Sequence, residues 1–166
     1  MGDRSPNADL LFARIQLRYP GARHILLVPA DASGSTADLA RQLAAAIAGA
    51  GQRVGLIDVG GGKTRPKQDA ELSGTLATPG VHSIDLLEAE MGDAKRIGRA
   101  LESQEGFTVA SAGPLQHDAQ ALRLSAAMDA VIVVVRRGRT LRSELAEIRH
   151  EIESVGGTLA GAVIID

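Results

Sequence analysis

HILLVPADASGSTADLARQLAAAIAGAGQRVGLIDV, residues 24–59, decides the fold. His24–Ala30 is a mostly apolar run of strand length, apolar from Ile25 onward, as expected of a strand covered on both faces. Asp31–Ser35 is a short polar turn with one glycine. Thr36–Ala50 then reads as a helix: Leu39, Leu43 and Ile47 recur every fourth residue, and Ala40, Ala44 and Ala48 widen the stripe. Ser35 and Asp38 have the spacing of an approximate capping box, and Gly49 and Gly51 mark the end. Arg53–Asp58 is a second apolar strand closing on an acid. Strand, turn, helix, strand is the opening unit of a parallel α/β domain, in which a turn before a helix can cradle an anion.

The remaining chain continues the alternation. Before the unit, Ala8–Tyr19 reads as a helix capped by Asn7, with Ala8, Leu11, Ile15 and Tyr19 as its stripe and Phe12 beside it, stopped by Pro20-Gly21. Residues 1–7 are expected to be a flexible tail. After the unit, Gly60–Thr78 is rich in Gly, Lys, Arg and Asp and reads as a loop, with room for a short helix from Gln68. Pro79-Gly80 marks a turn. Ser83–Glu90 and Asp93–Ser103 read as two helical pieces, with Leu86, Leu87, Ile97 and Leu101 inward. Gly106–Ala112 is a weak strand candidate. Asp118–Met128 reads as a helix offering Ala119, Leu122 and Ala126 to the core. Ala130–Val135 (AVIVVV) is a buried strand, and Thr140 is placed to cap a helix over Leu141–Val155 with a stripe of Leu141, Leu145, Ile148 and Ile152. Thr158–Ile165 is a last strand. The expected fold is α/β, a three-layer sandwich around a parallel sheet of at least five strands, with residues 1–166 forming a single domain.

Composition bounds the partners. The chain has 166 residues, enough for one core, with only two Phe, one Tyr and no Trp, so Leu, Ile, Val and Ala must build it. A net charge of -2 does not suggest nucleic acid. There is no cysteine, hence no disulfide frame and no thiolate zinc site, which suits a cytoplasmic protein. No apolar run reaches about 18 residues, and the polar, acidic start MGDRSPNADL is unlike a signal peptide. His24, His82, His117 and His150 are scattered without metal-ligand spacing, so no metal site and no catalytic residue are assigned.

The candidate site residues are Ser33, Gly34, Ser35, Thr36, Asp58 and Lys63, read as a weak or vestigial phosphate site. A working phosphate loop reads G-x-x-x-x-G-K-[ST] between a strand and a helix. Here Ser35 and Thr36 stand where the hydroxyls belong, Gly34 stands where the lysine belongs, and the turn is short. Backbone amides and the helix dipole can still attract an anion, which Asp31 opposes; the plainer reading is a helix cap. Gly60–Thr64 (GGGKT) follows a strand, but Ile57 stands where the first glycine of the loop should be. Lys63 can reach a phosphate bound nearby, or the glycines simply make a loop. Asp58 ends a strand where sheet ligands bind; it can hold magnesium, or order a loop. Arg136, Arg137 and Arg139 can meet an acidic partner or phosphate, or be a solvated rim.

With those residues in view, the chain resembles the P-loop domain of bacterial polysaccharide-assembly tyrosine kinases, which group with the ParA/MinD-like ATPases. Leu10–Tyr19 (LLFARIQLRY) is similar to the family's leading helix, near EAFRxLRTNL. His24–Asp58 resembles the Walker A strand, loop and helix running into an acid-ended second strand. Arg65-Pro66 matches the arginine-proline pair that follows. Ala119–Arg139 and Thr140 resemble the segment ending near DavllVVrxgxT, and Leu159–Ile164 the last strand, near lxGvVlN. The departures fall on the chemistry. Gly34 replaces the lysine, Gly60 replaces the second acid after strand two, and Ile165 stands where the family has an asparagine. Ser111, in VASAGPL, matches the Walker B acid of VIIDTPPL; alternatively Val109–Pro114 matches an earlier strand and the Walker B strand is missing. In both alignments the acid is absent.

The resemblance implies a P-loop NTPase-type fold and a role in exopolysaccharide synthesis or export. Its departures imply a catalytically inactive, pseudokinase-like domain with no cofactor, acting through binding. The implied partner is the cytoplasmic part of a membrane polysaccharide co-polymerase or chain-length regulator, or a second copy of the chain, at the inner face of the cell membrane. Two alternatives stay open: an active ATPase or tyrosine autokinase using ATP/ADP and magnesium with Lys63 in place of the missing lysine, and a ParA/MinD-like positioning protein.

Overall fold

The computed structural model of the chain describes residues 6–32, 36–59, 79–84, 86 and 92–166. The elements run α1 (Pro6–Arg18), β1 (His24–Pro29), α2 (Ala37–Gly49), β2 (Val54–Asp58), β3 (Val81–Ser83), α3 (Ala94–Glu102), β4 (Phe107–Ser111), α4 (Ala119–Ala127), β5 (Ala130–Arg136), α5 (Arg142–Ser154) and β6 (Leu159–Ile165). One six-stranded sheet has the order β3-β2-β4-β1-β5-β6, with every pair parallel. Parallel strands need crossovers, and the helices supplying them cover both faces. The three-layer α/β sandwich read from the sequence is therefore the fold. Among the described residues, no helix is long and apolar enough to cross a membrane.

The strand alternation splits the core in two. Ile25, Leu27, Val109, Ile132 and Val134 point to the face covered by Phe12 and Ile15 of α1 and Leu43 and Ile47 of α2. Leu26, Val28, Ala110, Val131 and Val133 point to the other, with Ile97, Leu124, Ile148 and Ile152 of α3, α4 and α5. Because one strand feeds both clusters, Ile25–Val28 are all fully buried. The main aromatic contact is Phe12 edge-on to Phe107, with ring centroids 5.5 Å apart. Two glycines hold backbone that other residues rarely adopt. Gly51, at φ +84°, ends α2. Gly106, at φ +87°, leads into β4 so close to the Arg53 carbonyl that a Cβ would stand 2.3 Å from it.

Several boundaries differ from the sequence reading. Helix α1 begins at Pro6, so Asn7 lies inside it and does not cap it; proline suits a first turn, where its missing N–H would have no partner. Ser83 is not helical but ends β3, a strand that follows the Gly80 turn and pairs with β2 through Val54↔Val81. The buried face of α4 is Ala121, Leu124 and Ser125; of the three residues expected there, Leu122 is half-buried against the same core cluster. Asp118 sets that phase by accepting from the N–H groups of Gln120 and Ala121. The weak strand candidate is a central one, Phe107–Ser111. The short helix near Gln68 and Leu87 lie outside the described residues.

At the amino-terminal edge of the sheet, Asp129 Oδ2 accepts from the backbone N–H groups of Arg23 and His24, at 2.9 and 3.0 Å. The His24 ring is part-buried, and its Nδ1 is buried without a partner. Its pKa is lowered from the ordinary 6.5, chiefly by burial and further by Arg23, against the opposing pull of Asp129 and Glu102. The unfolded chain therefore takes up this proton first, so the stability His24 contributes is full above pH 6.5 and falls as pH drops through that value toward the lower folded pKa. Thermal melts from pH 8 to pH 5 should show this fall, and His24→Gln should flatten it. An unchanged slope in that variant would refute the assignment.

Candidate functional site

In a parallel sheet, ligands bind beyond the carboxyl ends of the strands, where successive connections leave in opposite directions. Here that point lies between β1 and β4. Helix α2 leaves β1 on one face toward β2, and α4 leaves β4 on the other face toward β5. The strand register brings the polar residues of this edge to one level: Leu27↔Ser111 across β1 and β4, and Asp58↔Ser111 across β4 and β2. The ladder continues one step beyond, with Val59 N–H donating to Ser111 O at 2.8 Å, Ala112 N–H to Leu27 O at 3.1 Å and Ala30 N–H to Val134 O at 2.9 Å.

Three side chains carry the local chemistry. Asp58 stands exposed at the end of β2 and accepts a hydrogen bond from the Ser111 hydroxyl at 3.1 Å. Ser111 is 2% exposed. Thr36, at the head of α2, is also buried, and its hydroxyl donates to the Leu27 carbonyl at 3.2 Å. That hydroxyl is thus committed to the strand it follows and is turned from the mouth of the crevice. Thr36 also occupies the N-cap position, with φ -107° and ψ -1° and no side-chain cap bond. Thr36, not Ser35, is therefore the N-cap residue of α2, and Asp38 pairs with Arg41 at 2.6 Å. Of the candidate residues, Thr36 and Asp58 are placed at this edge, while Ser33, Gly34, Ser35 and Lys63 lie outside the described residues.

β4 borders β1 directly, so the strand end carrying Ser111 lies beside the crevice. The Asp58–Ser111 hydrogen bond was not readable from the sequence, because it depends on β4 inserting between β1 and β2. Among the described residues, no group of three or more His, Asp or Glu is placed to hold a metal ion. Arg136, Arg137 and Arg139 lie on the same edge but one strand further, at the exit of β5. The helix that follows is not capped by Thr140: Leu141 is the N-cap residue, and the Thr140 hydroxyl is buried without a partner.

No protein-family model matches the chain, and no curated protein matches it. Solved structures do. The kinase domain of the Escherichia coli tyrosine kinase ETK is similar over 95% of this chain and 73% of its own, with TM-score 0.76 and 15% identity. The chimerical protein CapA2B2 is similar over 98% of this chain and 86% of its own, with TM-score 0.77 and 17% identity. The MinC:MinD cell division protein complex of Aquifex aeolicus is similar over 86% of this chain and 67% of its own, with TM-score 0.60 and 14% identity. At these identities the likeness is one of fold, and it covers nearly the whole chain: this protein has the P-loop NTPase-type fold of the tyrosine kinase and MinD domains.

Proposed function

We propose that this chain is a kinase-fold interaction module of exopolysaccharide synthesis or export, without ATP chemistry of its own. The observation that carries the reading is Ser111. Beside the crevice, a buried serine hydroxyl stands hydrogen-bonded to Asp58 where phosphoryl chemistry calls for a second carboxylate on magnesium. The sequence adds Gly34 in the lysine position and Gly60 in place of another acid. A single lost group of this kind can cost about 3 kcal/mol of transition-state stabilisation, and here several are lost together. The partner this reading favours is the cytoplasmic part of a membrane polysaccharide co-polymerase, or a second copy of the chain.

A second reading is an active ATPase or autokinase in which Lys63 serves the phosphates. The likeness to a tyrosine kinase domain over nearly the whole chain favours it, and the likeness to the MinC:MinD complex extends it to a positioning ATPase. Calorimetric titration of ATP and ADP, with and without magnesium, separates the two. The interaction module is expected to give no heat up to about 1 mM nucleotide, whereas binding near 10 µM (about -7 kcal/mol) that requires magnesium would overturn it. Loss of that binding in Lys63→Ala would then assign the lysine.

A further inference from the structure

The turn from β5 into α5 reads RRGRTLR, residues 136–142, with four arginines in seven residues of a chain whose net charge is -2. It is a closed turn: Arg139 N–H donates to Arg136 O at 3.2 Å, and Gly138 sits at φ +76°. Arg137 meets Asp166 at 3.3 Å with both side chains more than three-quarters exposed, a contact worth little in water. Arg136, Arg139 and Arg142 make no ion pair among the described residues. Arg142 is the first residue of α5, where the helix dipole is positive and a cation is unfavourable. Glu144 is the acid of that first turn, and its carboxylate accepts from Leu141 N–H at 2.9 Å.

Leu141 is the other anomaly. An N-cap position favours Ser, Thr, Asn or Asp, yet it holds a leucine that has no acceptor to offer and is 65% exposed. The neighbouring Thr140 could cap one residue later, but its hydroxyl is buried and unpaired. Crowded like charge, a cation on the positive end of a helix and an apolar side chain in water each work against the folded state. Local rules broken together, with the Glu144 carboxylate offsetting only part of their cost, mark a surface kept for something else.

We propose that this turn docks an acidic protein segment carrying an apolar residue, which seats on Leu141 while its carboxylates meet Arg136, Arg139 and Arg142. Arginine beside an exposed apolar anchor is the chemistry of protein hot spots. A free phosphate or a nucleic acid would use the arginines and leave Leu141 in water, and one leucine is too little apolar surface to hold a protein on a lipid bilayer. The Pro29↔Val134 pairing puts Arg136 two residues beyond the end of β1, so the docked segment would lie beside the mouth of the crevice. This goes beyond the interaction role proposed above by naming its surface and partner chemistry. Its test uses no nucleotide, so the two fail separately.

The test is fluorescence anisotropy with two labelled peptides of equal charge and length, EELEELEELEE and EESEESEESEE, in low salt. The leucine peptide is expected to bind roughly tenfold more tightly than the serine peptide, and both should weaken as salt rises. Arg136→Ser, Arg139→Ser and Arg142→Ser together should weaken both peptides at least about tenfold. Leu141→Ser should abolish the difference between the peptides and leave the serine peptide unchanged. Thermal midpoints equal to or above the parent's in these surface variants verify the fold. The proposal is overturned if neither peptide binds at about 1 mM, if the triple variant binds as well as the parent, if Leu141→Ser keeps the preference, or if duplex DNA or phosphatidylglycerol vesicles bind more tightly than the leucine peptide.

Discussion

Replacing Ser111 by aspartate should destabilise the protein by about 3 kcal/mol at pH 8, a large loss for one position at a strand end, because it buries a carboxylate beside another. Ser111 is 2% exposed and its hydroxyl lies 3.1 Å from an Asp58 carboxylate oxygen. Two carboxylates at that separation cannot both ionise cheaply, so the pair would retain a proton that the unfolded chain releases near pH 4. The folded variant then binds more protons than the unfolded one, and its stability must rise as pH falls from 8 toward 5. Thermal melts of Ser111→Asp against the parent at both pH values measure this directly. A variant as stable as the parent at pH 8 would mean that the two strand ends are not held side by side. Ser111→Ala is the control: it removes one hydrogen bond and should cost about 1 kcal/mol.

The same variant interrogates the site. Paired carboxylates at the ends of adjacent strands form half of a divalent-cation site, with water and substrate oxygens completing the shell. If the backbone around the crevice retains the shape needed for magnesium chemistry, millimolar manganese or magnesium should raise the melting temperature of Ser111→Asp and leave that of the parent unchanged. Stabilisation by a ligand follows its free concentration, about 2.7 kcal/mol at one hundred times its dissociation constant, enough to recover most of the loss. Absence of rescue would show that the edge has lost the geometry as well as the acid, and would weigh against the ATPase reading.

What the sequence disclosed and what it withheld follow from the range of the interactions. β1, α2, β2, β5, α5 and β6 were each legible because apolar periodicity and glycine or proline stops are local. β4 read as weak because Thr108 and Ser111 interrupt its apolar run, yet burial between two neighbours makes it central. β3 was missed altogether; three residues, Val81–Ser83, are too few for periodicity, and the strand exists because β2 offers it a free edge. At the site, the identities of Thr36, Asp58 and Ser111 were readable, but the bond between Asp58 and Ser111 depended on sheet order. Caps failed most often. Thr36 and Leu141 took positions expected for Ser35 and Thr140, since a shift of one residue in helix phase is decided by packing of the helix face against the sheet.

Leu26→Ala should produce the other large effect, a loss of about 4 kcal/mol. Leu26 is fully buried in the middle of β1, paired with Ala110 of β4 on one side and Val131 of β5 on the other. Its side chain packs in the cluster that joins the sheet to α3, α4 and α5. Small alanines crowd that cluster, Ala110, Ala112 and Ala121 among them, and an alanine cannot extend to fill a hole left by a leucine. Both the transfer term and the cavity term therefore apply in full. For a chain of this size the loss corresponds to a melting temperature lower by about 10 °C. Leu17→Ala, at a leucine 84% exposed on α1, should change stability by no more than about 0.5 kcal/mol. Urea unfolding of the two variants side by side tests the architecture: comparable effects would mean that β1 does not run through the centre of the sheet, and with it the crevice between β1 and β4 would lose its basis.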